Sequence, residues 1–86
     1  MSKKEADRQR KEIITRLVIA LEAERRRQGL SLNEIATRSG LNHTMVMRVE
    51  KEERLPTIDT LLRISQALDV DLWKLLRDAT KSTAKP

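Results

Sequence analysis

Apolar side chains recur along this chain at spacings of three and four residues, the period of an α-helix with one buried face. Ile13, Ile14, Leu17, Val18, Ala20 and Leu21 form the first stripe. Ile35 with Ala36, and Val46 with Val49, mark two shorter ones. Ile58, Leu61, Leu62, Ile64, Ser65 and Leu68 give a broader inner face, and Leu72, Trp73, Leu75, Leu76 and Ala79 close the series. No stretch alternates apolar and polar residues with the β-branched and aromatic content a strand needs. The pattern predicts an all-α chain of five helices.

Local signals bound these helices. Helix 1 is expected from about Lys4 to Gln28, stopped by Gly29, which adopts the left-handed conformation at low cost. Before Ile13 the apolar stripe is missing. Opposite charges recur there at four-residue spacing instead (Lys3/Asp7, Asp7/Lys11, Arg8/Glu12, Glu12/Arg16), a pattern that supports a solvated helix. Residues 1–12 therefore read as a basic extension of helix 1 or a frayed arm. Ser31-Leu32-Asn33-Glu34 is a capping box opening helix 2, which Gly40 ends after about Ser39. Asn42 is the next N-cap, and helix 3 is expected from His43 to about Glu52. Pro56 bars continuation, Thr57 caps helix 4, and Asp71 caps helix 5. The domain proper spans residues 13–79. The polar tail 80–86 (TKSTAKP) is expected to be disordered.

The spacing from Leu32 to Val49 carries the functional information. A short helix, a tight turn and a second helix must cross steeply. The crossing calls for a small residue at the contact, supplied by Ala36, and a residue tolerant of positive φ at the turn, supplied by Gly40. Ile35, Leu41, Val46 and Val49 would lock both helices onto one core. This is a helix-turn-helix, whose second helix enters the major groove of DNA.

Composition narrows the alternatives. With 86 residues the chain makes one small domain. It has no Cys and one His, so thiolate metal sites and disulfides are excluded, and no metal or cofactor is expected. There is no Gly-rich phosphate loop and no carboxylate pair in an apolar setting, so an enzyme is not expected. With one Trp and no Tyr or Phe, a stacking platform for single strands is not expected. The longest apolar run, residues 17–21, is too short for a membrane span, and the first residues lack a signal-peptide core, so a cytoplasmic location away from membranes is expected. The net charge is +5, which favours an acidic partner. Nine basic and five acidic side chains fall in residues 1–27, whereas residues 28–50 are neutral, Arg38 and Arg48 being matched by Glu34 and Glu50. The charge count alone does not single out the reading unit.

Residues 17–76 resemble the phage-repressor/Cro-like helix-turn-helix domains of the XRE family. The resemblance is carried by RRRQGLSLNEIATRSGLN followed by HTMVMRVEKEERLPTIDTLLRISQALDVDLWKLL. It implies a five-helix bundle of the lambda-repressor-like type, with helices 2 and 3 as the helix-turn-helix. It also implies an ion pair between Arg25 and Glu50 across the edge of the core. His43, Thr44, Met47 and Arg48 would reach base edges. Arg48 is suited to two hydrogen bonds with guanine, and Met47 to a thymine methyl. Ser31, Asn33, Asn42, Lys51, Arg54 and Thr57 would lie against phosphates.

Three residues depart from the family pattern. Leu32 stands where a Gln is common. Glu52 stands where a Gly is common, so helix 3 either runs longer or places a non-Gly residue at positive φ. Glu52 and Glu53 put negative charge where the turn approaches phosphates.

The resulting expectation is a sequence-specific double-stranded DNA-binding regulator, a repressor acting as a homodimer on a palindromic operator. The dimer surface is expected on helix 5 around Leu72, Trp73 and Leu76, or on the helix 1 extension. Trp73 equally reads as a core residue. Two alternatives use the same scaffold: an antitoxin (with a toxin as partner) or restriction–modification controller, and a protein-interaction adaptor.

Overall fold

The computed structural model describes residues 1–83. Five α-helices follow in order: α1 (Lys3–Arg27), α2 (Leu32–Ser39), α3 (His43–Glu50), α4 (Ile58–Ala67) and α5 (Leu72–Thr83). There is no strand among the described residues. Helix α1 packs along α5 and touches α3. Helix α2 packs on α3 and α4, and α4 meets α5. At 1.5 Å per residue, the 25 residues of α1 extend about 37 Å and set the 40 Å long dimension of the molecule.

The core draws on every helix. Leu17, Val18 and Leu21 come from α1, Ile35 and Ala36 from α2, Val46 and Val49 from α3, Leu61 and Ile64 from α4, Leu68 from its C-cap and Ala79 from α5. Two buried hydroxyls are satisfied locally: those of Ser39 and Ser65 donate to the carbonyls of Ala36 and Leu62. Such i−3 bonds let small polar residues sit inside without a stranded hydroxyl.

The caps form where the residue types place them. Ser2 accepts from the Glu5 amide, so the extension is helical from Lys3. Ser31 and Glu34 make both bonds of the capping box. Asn42, Thr57 and Asp71 accept from the amides of Met45, Thr60 and Trp73. Gly40 takes φ +72° at the end of α2, and the Leu41 amide returns to the Ala36 carbonyl.

Four expectations change. Helix α3 stops at Glu50, two residues early, because Glu52 adopts φ +57°. The amides of Glu52 and Glu53 then close on the carbonyls of Val49 and Arg48, forming a Schellman stop with Glu in the position glycine usually takes. Ile58 and Leu62 belong to the exposed surface of α4 rather than its inner face. Trp73 is 65% exposed and is no core residue. Helix α5 continues to Thr83, into the segment expected to be disordered; residues 84–86 lie outside the described residues.

Two tertiary contacts brace the end of α1. The Arg25 guanidinium forks onto Glu50, with Nε at 2.7 Å from Oε2 and Nη2 at 3.0 Å from Oε1. Its remaining nitrogen donates to the Leu30 carbonyl at 2.8 Å. Both side chains are largely buried, at 12% and 14% exposure. Three residues on, at the C-cap of α1, the Gln28 amide bridges the Glu24 carboxylate and the Leu68 carbonyl, at 3.0 and 2.7 Å. Replacing Arg25 by Ala leaves Glu50 unpaired inside the structure and is expected to cost about 3 kcal/mol of stability, read from urea unfolding by circular dichroism. Wild-type stability in that variant would contradict the bracing role.

Two surface carboxylates give the fold a small acid sensitivity. Hydrogen bonds from Arg27 and then Gln28 hold the Glu24 carboxyl down at about 2. The Ser31 backbone amide lowers that of Glu34. In both cases the folded state prefers the ionised form. For Glu24 the stabilisation is therefore complete above the ordinary value of 4.5 and is lost as the pH falls from there toward 2, and for Glu34 it is likewise lost as the pH falls below 4.5. Thermal melts should show the melting temperature falling across that window, and falling less in a Glu24→Gln, Glu34→Gln double variant.

Candidate nucleic-acid interface

Helix α3 has two faces because its eight residues span little more than two turns. Val46 and Val49 point into the core, and Met45 flanks them half-buried. His43, Thr44, Met47 and Arg48 fall at i, i+1, i+4 and i+5, which gathers them on one side of the helix. His43, Thr44 and Arg48 are exposed and Met47 is half-buried. The four sequence-predicted base-reading positions thus share one surface, and it lies away from the valines that anchor the helix.

The scaffold beneath is made by α2 and its turn. Ile35 is fully buried and Ala36 nearly so, which allows α2 and α3 to pack closely. Gly40 carries the reversal. A Cβ added there would meet the Arg63 guanidinium at 3.0 Å. That guanidinium donates to the Ser39 carbonyl at 3.2 Å and to Asp59 at 2.8 Å, so α4 ties down the end of α2 at the turn.

The flanking positions differ in what they have left to offer. Asn33 and Asn42 are exposed at the starts of α2 and α3, Asn42 with its oxygen already engaged as the cap. Ser31 is exposed with its oxygen accepting from Glu34. The Thr57 hydroxyl donates to Thr60 and is committed within the fold. Lys51 and Arg54 are exposed after α3. Among the described residues, the side chains of His43, Thr44, Arg48, Lys51 and Arg54 take part in no ion pair or hydrogen bond.

Electrostatics sharpen this contrast. The arginines near the end of α1 are neutralised: Arg25 by Glu50, Arg26 by Glu22 and Arg27 by Glu24. Arg10 pairs with Asp7. Residues 28–50 are neutral by count, but Glu50 is drawn inward by Arg25 and Glu34 is spent on the cap of α2. Arg48 is left as an unpaired cation on the outer face of α3. A charge count along the sequence misses this, since it cannot see which carboxylate turns inward.

A helix-turn-helix family model matches residues 21–72, three-fifths of the chain. The chain belongs to this XRE-type helix-turn-helix family. As a member it is a DNA-binding transcription regulator of the all-α class. Among solved structures, it is similar to a point mutant of the restriction-modification controller protein C.Esp1396I, at 20% identity and a TM-score of 0.73. The match covers 84% of this chain and 97% of that one, and it shows a shared fold. No curated protein matches. Among the described residues no helix is long and apolar enough to cross a membrane, and no group of His, Cys, Asp or Glu could hold a metal ion.

Contacts between distant segments escaped sequence reading. Arg63 on Ser39, Gln28 on Leu68, and Thr15 on Glu52 at 2.6 Å join residues 24, 40 and 37 positions apart. None lies at a spacing that a local rule could detect.

Proposed function

We propose that this regulator reads a palindromic operator in double-stranded DNA as a homodimer and represses transcription there. The unpaired, exposed Arg48 on the outer face of α3 carries this reading. Its planar fork can donate to O6 and N7 of a guanine, while His43, Thr44 and Met47 contact the neighbouring bases. Asn33, Asn42, Ser31, Lys51 and Arg54 contribute phosphate contacts that set the register, Thr57 doing so through the start of α4 rather than its committed hydroxyl. No cofactor is required by this chemistry.

A single module of this size buries too little surface to be selective, and two modules about 34 Å apart on one DNA face overcome that limit. An apolar groove of about 250 Å³ supports a second copy as the partner. It runs between α1, the turn before α4, and α5, and is lined by Ile13, Ile14, Leu55, Pro56, Ile58, Leu72 and Leu76 among others. Leu55 and Ile58 are 71% and 64% exposed, and Trp73 stands beside Leu72 on α5. Leu72 and Leu76 of the groove belong to helix 5, one of the two surfaces expected from sequence; the helix 1 extension, residues 1–12, does not line it.

A controller role within a restriction–modification system is the second reading. It is supported by a likeness that spans nearly the whole of C.Esp1396I. Activation rather than repression of a reporter carrying the selected site would favour it.

Selection of bound sequences from a random duplex pool is expected to enrich a palindrome. Arg48→Ala should lose about 1–3 kcal/mol of discrimination at one base pair in each half-site. No enrichment at low salt would overturn the reading. For the dimer, Trp73 emission should shift to shorter wavelength as the protein concentration rises through the dimer range, with Leu55→Asp abolishing the shift. Sedimentation as a strict monomer at micromolar concentration would refute it.

A further inference from the structure

The turn after α3 carries two acidic residues at the edge of the surface that, in the reading above, faces phosphates. Glu52 holds φ +57° without being glycine. Its carboxylate Oε1 accepts a hydrogen bond from the Thr15 hydroxyl at 2.6 Å. Thr15 lies on α1, two residues before Leu17 and three before Val18, two of the α1 residues in the core that also holds Val46 and Val49. Helix α1 therefore stands on the core side of α3, opposite the face formed by His43, Thr44 and Arg48. The bond pulls the carboxylate toward that side. The residues bracketing the acidic pair, Lys51 and Arg54, are exposed and unpaired.

We propose that Thr15 is a positioning residue for this DNA-facing turn: it holds the Glu52 carboxylate against α1, so that the turn offers Lys51 and Arg54 to the phosphates. Without that hydrogen bond the carboxylate swings free beside the phosphates and repels them. The repulsion weakens as salt screens it. This rests on the DNA-binding reading and adds a residue outside the helix-turn-helix to it.

The test measures anisotropy of a fluorescein-labelled random-sequence duplex titrated with full-length variants at several salt concentrations. Thr15→Val, which keeps the shape and removes the donor, is expected to bind about fivefold more weakly at low salt, the size of the repulsion between two unit charges about 4 Å apart in water. The loss should shrink as salt rises, and Thr15→Ser should bind as wild type. In a Glu52→Gly background, Thr15→Val should have no further effect, since the two residues act as one unit. Glu52→Gly alone, with glycine suited to the turn, should bind at least as tightly as wild type. Wild-type affinity in a folded Thr15→Val variant would overturn the proposal. A penalty that persists in the Glu52→Gly background, or weaker binding by Glu52→Gly alone, would do the same. Failure of the wild type to bind any duplex would overturn the DNA reading as well. Weakened binding by Arg48→Ala beside an unaffected Thr15→Val would overturn only the role of Thr15.

Discussion

The Arg25–Glu50 fork is the constraint on which the rest of the arrangement depends. It closes three segments at once: the end of α1, the turn at Leu30 that leads into α2, and the end of α3. A guanidinium suits this task because its donors lie in one plane in a fixed fork. Two donors reach the carboxylate while a third reaches the Leu30 carbonyl in the link between α1 and α2. A lysine ammonium could not meet all three with the same geometry. Helix α3 has only eight residues, and two valines are its fully buried apolar anchors, so a polar clamp at its far end fixes how it leans against α1. The same clamp turns the Glu50 charge inward, which leaves the outer face of α3 with Arg48 and no carboxylate of its own.

Charge in this molecule is therefore organised by pairing more than by number. Most of the excess lies before Gln28, yet much of it is matched by neighbours one helical turn away. Such exposed pairs contribute little to stability. They do, however, cancel the field that the cations would otherwise cast. Few cations are left unpaired on the outer face of α3 and in the turn after it.

Much of the fold was legible in the sequence because its signals are local. Capping residues, glycine stops and the three-to-four spacing each act within one or two turns, and all five helices begin within one residue of where those signals place them. That His43, Thr44, Met47 and Arg48 share one side of α3 follows from its period, whereas the base-reading role given to them came through resemblance to a family. The fork between Arg25 and Glu50 came only through resemblance to a family. Exposure was misjudged where an apolar residue sits on the outside, as with Trp73, Ile58 and Leu62, since a hydrophobic side chain does not declare whether its partner lies within the chain. The end of α3 was set two residues late, although positive φ at Glu52 was one of the two outcomes that the departure from Gly allowed. The contacts made by Arg63 and Gln28 bridge helices that local rules treat separately.

The left-handed stops also bear on the state the protein folds from. Glu52 and Asp69 fill positions that glycine often occupies, and the whole chain contains two glycines. Side chains at these stops strain the native backbone. They also narrow the conformations open to the chain before it folds, so less freedom is surrendered when the turns close. Part of the native strain is thereby offset in the denatured ensemble. The stability of these turns is a difference between two states, only one of which is visible in the folded structure.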